Sequence, residues 1–185
     1  MMLGLSLATF TILHVIISLI AIAAGLVVMF GMLSSSRMPA LTGVFLLFTI
    51  LTSVTGFMFP FTELLPSHVL GIISLVLLAA ACVALYAMKL AGLWRPVYVV
   101  SALLSLYLNV FVLVIQSFLK IPVLTALAPG NPPAGPVFAV VQGVVLVFFV
   151  LMIIGAWRRF RPSMLSESFP NSGGMRSTEP GISRR

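Results

Sequence analysis

Five long apolar segments, almost free of charged residues, are the feature that most constrains the fold of this chain. Each is close to the roughly 20 residues that an α-helix needs to cross the hydrocarbon core of a bilayer. Of all residues, 61% are hydrophobic and 7% are charged, whereas soluble domains carry about a quarter charged residues. Backbone polar groups inside hydrocarbon must be satisfied within the chain, which favours helices. The sequence therefore predicts an all-α polytopic membrane protein, a compact bundle of five transmembrane helices with spans at about residues 5–33, 41–59, 67–90, 96–119 and 136–157.

The segments between and after these spans complete the predicted organisation. The first span has no Lys or Arg before it and is interpreted as a retained helix rather than a cleaved signal peptide. Residues 120–135 are rich in Pro and Gly, which predicts an irregular loop without a helix. The bundle is expected to occupy residues 1–162, and the Ser-, Gly- and Pro-rich residues 163–185 are predicted to form a disordered cytoplasmic tail.

The positive charges predict an orientation in the membrane. If the spans alternate, one side receives six cations near the helix ends and the opposite side receives only Lys120. Cytoplasmic loops carry an excess of Lys and Arg, so the N-terminus is expected outside and the C-terminus in the cytoplasm. The six cations are Arg37, Lys89, Arg95, Arg158, Arg159 and Arg161.

The aromatic residues, the small size of the chain and its net charge lead to three further expectations. Trp94, Tyr98 and Trp157 fall at the cytoplasmic ends of predicted spans, where amphipathic rings anchor in the membrane interface. The small size and short loops are typical of proteins of bacterial inner membranes, which is the expected location. The net charge of +7 is explained by these topology signals, so no nucleic-acid partner is expected.

The fourth span carries a row of polar residues on one face. Asn109 and Gln116 are seven residues apart, two helical turns, and Ser105 and Ser101 continue the row one and two turns back. An amide that faces hydrocarbon without a partner is costly, so this face is expected to point towards other helices or water.

The costly polar side chains of the other spans also fall in their outer halves when they are placed by depth. His14, Ser53, Asn109, Gln116 and Gln142 are therefore predicted to line a polar pocket that opens to the outside. The alternative for the same residues is hydrogen bonding between helices, worth only about 1 kcal/mol each.

The inventory of acids and thiols excludes several classes of chemistry. Glu63 is the only acid before residue 163, and the chain has no Asp, so paired-carboxylate hydrolysis and carboxylate-rich metal sites are not expected. The single cysteine, Cys82, allows neither an intramolecular disulfide nor a thiolate metal cluster. A role without catalysis is predicted.

Three functional hypotheses follow. The first is that the pocket binds or passes a small polar or amphipathic ligand across or within the bilayer. The second is a scaffold or assembly subunit that packs on a membrane-protein partner or on further copies of itself. The third is an electron-transfer protein with a b-type haem, for which His14 and His68 are the candidate axial ligands; the first two hypotheses require no cofactor.

Overall fold

The computed structural model describes residues 6–59 and 66–161. Within these ranges all regular elements are helical, and five helices are long and apolar enough to cross a membrane. The all-helical fold class and the five candidate spans are thus confirmed. The elements are α1 (Leu7–Leu33), α2 (Pro39–Phe57), α3 (Pro66–Cys82) with a π-helical turn (Val83–Ala87) that continues it, α4 (Trp94–Lys120), α5 (Pro122–Leu127) and α6 (Pro136–Arg159).

Several helices begin at residues that are favourable in the first turn of a helix. The side chain of Ser6 accepts a hydrogen bond from the backbone N–H of Thr9 and so caps α1. The helices α2, α5 and α6 each begin with a proline, whose fixed φ and missing N–H are tolerated at that position. The third span ends earlier than predicted, because the backbone turns left-handed at Lys89 and Leu90.

The helix α5 corrects the prediction that residues 120–135 contain no helix. Pro122 starts the helix, and the next five residues, Val123 to Leu127, contain neither Pro nor Gly. Proline blocks a helix when it stands in the interior but not when it stands first. The prediction was wrong for the first part of residues 120–135, because it used the average Pro and Gly content of the whole segment.

The helix α4 lies at the centre of the bundle. It packs against α1, α2, α3, α5 and α6. Because α2 and α4 each contact both α1 and α3, these four helices form an arrangement in which α1 and α3 occupy opposite corners. The helix α6 packs against α4 and α1, on the outside of the four.

One end of the bundle gathers the six cations named above and is called the basic end. Here the turn between α1 and α2 is tied to the end of α6, since Ser35 donates a hydrogen bond to the carbonyl of Arg159 and accepts one of 2.9 Å from the N–H of Arg161. The guanidinium of Arg95, at the start of α4, donates to the carbonyl of Phe160 at 2.9 Å. Three chain segments are therefore joined at this end. The opposite end, where α4 finishes at Lys120, is called the Lys120 end.

The core is packed most tightly between the middle of the bundle and the basic end. A Cβ atom on Gly25 of α1 would lie 2.6 Å from Cδ1 of Leu106 and 2.8 Å from Cδ2 of Phe45. This contact, called the Gly25 junction, brings α1 against α2 and α4 with no space left. Met29, Phe45 and Leu106 have no exposed surface there.

Tyr98 departs from the expected interface position. Its side chain is only 2% exposed and belongs to the core, with its ring 6.1 Å from that of Phe160. The segment after α6 folds back over the start of α4 and covers the tyrosine, which sequence position alone does not reveal. Trp157, by contrast, is exposed, as an interface anchor requires.

Two predictions concern parts of the chain outside the described residues. Glu63 and the tail predicted to be disordered, residues 163–185, lie outside the described residues. What the sequence predicts for them stays a prediction.

Candidate functional site

A cavity of about 780 Å³ opens inside the four-helix arrangement, between the Gly25 junction and the Lys120 end. All four helices α1 to α4 contribute to its wall. No described residue of α5 or α6 lines it. Most of the exposed surface of the wall is apolar, as in pockets for small organic ligands, which commonly measure about 300–1,000 Å³. The polar side chains that line the cavity are Thr11, His14, Ser18, Thr52, Ser53, His68, Ser74, Asn109, Gln116 and Lys120.

The cavity is elongated along the helix axes. Helix α4 rises about 1.5 Å per residue from the junction at Leu106 towards Lys120. Asn109 therefore lies about 4 Å beyond the junction, Gln116 about 15 Å and Lys120 about 21 Å. On α1, which runs in the opposite direction, His14 lies about 16 Å beyond Gly25 and so is level with Gln116. The deepest polar group is thus Asn109, and the single cation stands at the mouth.

His14 is held by one defined hydrogen bond. Its Nδ1 lies 2.7 Å from the hydroxyl oxygen of Thr55 on α2. That hydroxyl lies 2.7 Å from the carbonyl of Leu51 and donates its only proton there. Thr55 must then accept from His14, so Nδ1 carries the proton and the other ring nitrogen, Nε2, holds a free lone pair. The edge of the imidazole also contacts the ring of Phe59, with centroids 5.2 Å apart.

Asn109 presents an unmet hydrogen-bonding group. Its Nδ2 is shielded from solvent and has no acceptor among the described residues. A buried amide donor without a partner costs about 1–3 kcal/mol, so this amide destabilises the packed helix. Gln116, two turns further along the same face, is exposed towards the mouth.

The hydroxyl groups of the wall are satisfied by the protein itself. Ser53 of α2 and Ser74 of α3 form a hydrogen bond of 3.3 Å, and both are buried. Thr11, Ser18 and Thr52 each donate to a backbone carbonyl four residues earlier in their own helix. The other polar side chains of the wall are the two imidazoles, the two amides and the ammonium group.

Gln142 lies apart from the other predicted site residues. Its Nε2 donates to the carbonyl of Phe111 at 3.1 Å, on the side of α4 turned away from the cavity. The side chain is buried between α4 and α6, and its Oε1 has no donor among the described residues. The structure thus brings together His14, Ser53, Asn109 and Gln116, and it places Gln142 in a helix contact.

The cavity wall also contains residues that were not part of the predicted pocket, among them His68, Ser74 and Lys120. His68 had been considered only as a haem ligand; it is buried, with its ring 5.8 Å from that of Phe57. Lys120 was predicted only as a topology signal, and Ser74 was not among the residues predicted to line the pocket. The alignment of Ser74 with Ser53, one on each of two consecutive antiparallel helices, was a usable signal because both sit at similar distances from the loop that joins them.

A smaller cavity of about 160 Å³ lies at the basic end, between the turn after α1 and the end of α3. Arg37, Tyr86 and Tyr98 are among its wall residues. Its volume is about a fifth of the larger cavity's, which makes the latter the candidate functional site.

Comparisons of this chain with protein-family models, with curated proteins and with solved structures find no match.

Proposed function

We propose that this protein binds a small amphipathic molecule in the cavity between α1 and α4. The observation that carries the proposal is the cavity itself, about 780 Å³ of space with a mainly apolar surface that His14, Asn109 and Gln116 border. A bundle that needed these polar groups only for helix contacts would close around them, as it does around Ser105, which has no exposed surface. The proposed role involves no catalysis.

The wall fits a ligand with an apolar body and a few acceptor groups. Aliphatic side chains such as Leu19, Ile22 and Val112 cover most of the length of the cavity. The amide side chain of Asn109 borders the inner end, and Lys120 offers a positive charge at the mouth. A molecule with an anionic or strongly polar end at Lys120 and an apolar remainder would use each of these features.

The proposed orientation places the mouth of the cavity on the outer side of the membrane. All six cations near helix ends lie at the basic end, and Lys120 lies at the opposite one. By the positive-inside rule the basic end is cytoplasmic, so the ligand would enter from outside or from the outer leaflet. In a bacterium this corresponds to the periplasmic side of the inner membrane.

Thermal unfolding of the purified protein with a panel of amphiphiles tests the proposal. The panel contains oleate, a lysophospholipid, a short-chain quinone and haemin. A ligand present at a hundredfold excess over its Kd should stabilise the fold by about 2.7 kcal/mol, which raises Tm by several degrees. The wild-type protein should respond to at least one member.

Variants of the protein test whether the amphiphile raises Tm by binding in the cavity. The double variant His14→Leu/Asn109→Leu should lose the shift. Gln142→Leu is the matched control, because it also replaces a buried amide by Leu but lies outside the cavity. Equal shifts in all three proteins would show that the amphiphile acts on the surface and would remove the proposal.

A further inference from the structure

Both histidines of the chain reach the same cavity. The sequence has only two, and both His14 on α1 and His68 on α3 are wall residues. These helices occupy opposite corners of the four-helix arrangement, since each packs on α2 and α4. Cofactor sites in helix bundles are built in this way, from side chains on facing helices that point into the core.

The two imidazoles also lie at nearly the same height. The last turn of α2 is the common reference, because His14 contacts Thr55 and His68 contacts Phe57. These two reference residues are two positions, or about 3 Å, apart along the helix axis. Gly56, in the same turn, adds no side chain to the space beside His14, whose Cε1 is 3.9 Å from the position of a Cβ there.

The hydrogen bond of His14 through Nδ1 leaves its second ring nitrogen, Nε2, available to bind a metal. Histidines that ligate a metal through one ring nitrogen usually donate the N–H of the other to a neighbouring group, which fixes the tautomer and the ring orientation. The contact from Nδ1 to Thr55 provides this partner and leaves the lone pair of Nε2 free.

We infer that the cavity is a b-type haem site with His14 and His68 as the axial ligands. Among the described residues no three His, Cys, Asp or Glu side chains come together to hold a bare metal ion. A haem needs only two protein ligands, because the porphyrin supplies the other four nitrogens. This inference rests on the proposed function and deepens it, since haem is an amphipathic molecule with an apolar ring and two anionic propionates.

The distribution of charge and polarity in the cavity matches the two parts of a haem. The aliphatic wall would contact the macrocycle, and Lys120 at the mouth would pair with a propionate directed towards the surface. Burial between apolar side chains and hydrogen bonds to the ligands are the features by which proteins tune such a group.

The absorption spectrum of the full-length protein tests the inference. The protein is purified from cells supplied with a haem precursor, and the haem-free fraction is titrated with haemin. We expect a Soret band and the spectrum of a low-spin haem with two histidine ligands, at one haem per chain. His14→Ala and His68→Ala should each convert the spectrum to that of a haem with one histidine ligand or lose the haem.

Chemical rescue separates ligation from a structural role. Added imidazole should restore the low-spin spectrum of His14→Ala and His68→Ala, because it replaces the missing ligand. Gln142→Leu is the control, because it replaces an amide outside the cavity, and it should keep both axial ligands. Thr55→Val removes the partner of His14 and should weaken haem binding about tenfold.

Two results would overturn the haem site. One is a folded wild-type protein, with a cooperative thermal transition, that shows no Soret band even after titration with haemin. The other is a wild-type spectrum in both alanine variants. If oleate, the lysophospholipid or the quinone still raises the Tm of the wild type but not of His14→Leu/Asn109→Leu, the haem assignment fails while the amphiphile site stands. If none of them does, both proposals fail.

Discussion

The two halves of this bundle use the same helices in opposite ways. Towards the basic end the helices meet without space at the Gly25 junction, and hydrogen bonds of Ser35 and Arg95 join their ends. Towards the Lys120 end the helices α1 to α4 surround a cavity of about 780 Å³. The fold is therefore anchored in one half, which leaves the other half free to hold a ligand.

The polar face of α4 shows what separates the halves chemically. Ser101 and Ser105 are buried in the packed half, and each hydroxyl donates to a carbonyl four residues earlier in its own helix. Serine can satisfy itself in this way and still be packed like a small apolar residue. Asn109 and Gln116 carry larger amides that need a partner outside their own helix, and both border the cavity.

The largest effect is expected from filling the Gly25 junction. Gly25→Leu places a side chain where even a Cβ would lie 2.8 Å from the ring of Phe45, so α1 must move away from α2 and α4. We expect the free energy of unfolding to fall by about 3 kcal/mol, measured by denaturation in mixed micelles. Gly143→Leu on α6 is the matched control, because a Cβ there meets nothing within 4 Å. Equal losses for both variants would mean that the junction is not tightly packed.

A smaller effect should distinguish two neighbouring positions on α4. Ser105→Leu overfills the packed half and should lower the free energy of unfolding by about 2 kcal/mol. Asn109→Leu, one turn further on, extends into the cavity and removes an amide donor without an acceptor, so it should raise stability by up to about 1 kcal/mol. The comparison between the halves breaks down if Asn109→Leu is the more damaging of the two.

The smallest effect concerns the ties at the basic end. Ser35→Ala removes both hydrogen bonds between the turn after α1 and the end of α6, and it should lower the free energy of unfolding by about 1 kcal/mol. Ser34→Ala is the control, since Ser34 bonds only to Phe30 within α1. Unfolding curves of the two variants that coincide would show that Ser35 does not join the segments.

Much of the fold was predictable because a bilayer leaves few alternatives. Apolar length alone predicted the five spans, and the predicted starts of the second and fifth spans, residues 41 and 136, lie within two positions of the first residues of α2 and α6. The tertiary position of Tyr98 was not predictable, because the chain after α6 covers it.

The candidate site was predictable only where helix periodicity and depth were sufficient. Asn109 and Gln116 share a face by spacing, and counting from the helix end predicts the half of α1 in which His14 lines the cavity. The prediction that Gln142 lines the pocket could not be made from periodicity and depth. Apart from Gln142 the spanning part of α6 is apolar on all sides, so the sequence does not show on which side of α4 this helix packs.

Native mass spectrometry of the protein extracted gently from its membrane tests the central claim most directly. If the half at the Lys120 end is a ligand site, the wild type and Gln142→Leu should each retain one small molecule per chain. The double variant His14→Leu/Asn109→Leu should be recovered without it while keeping a cooperative thermal transition. Identical bound masses in all three proteins, or a wild type with nothing bound, would contradict the account.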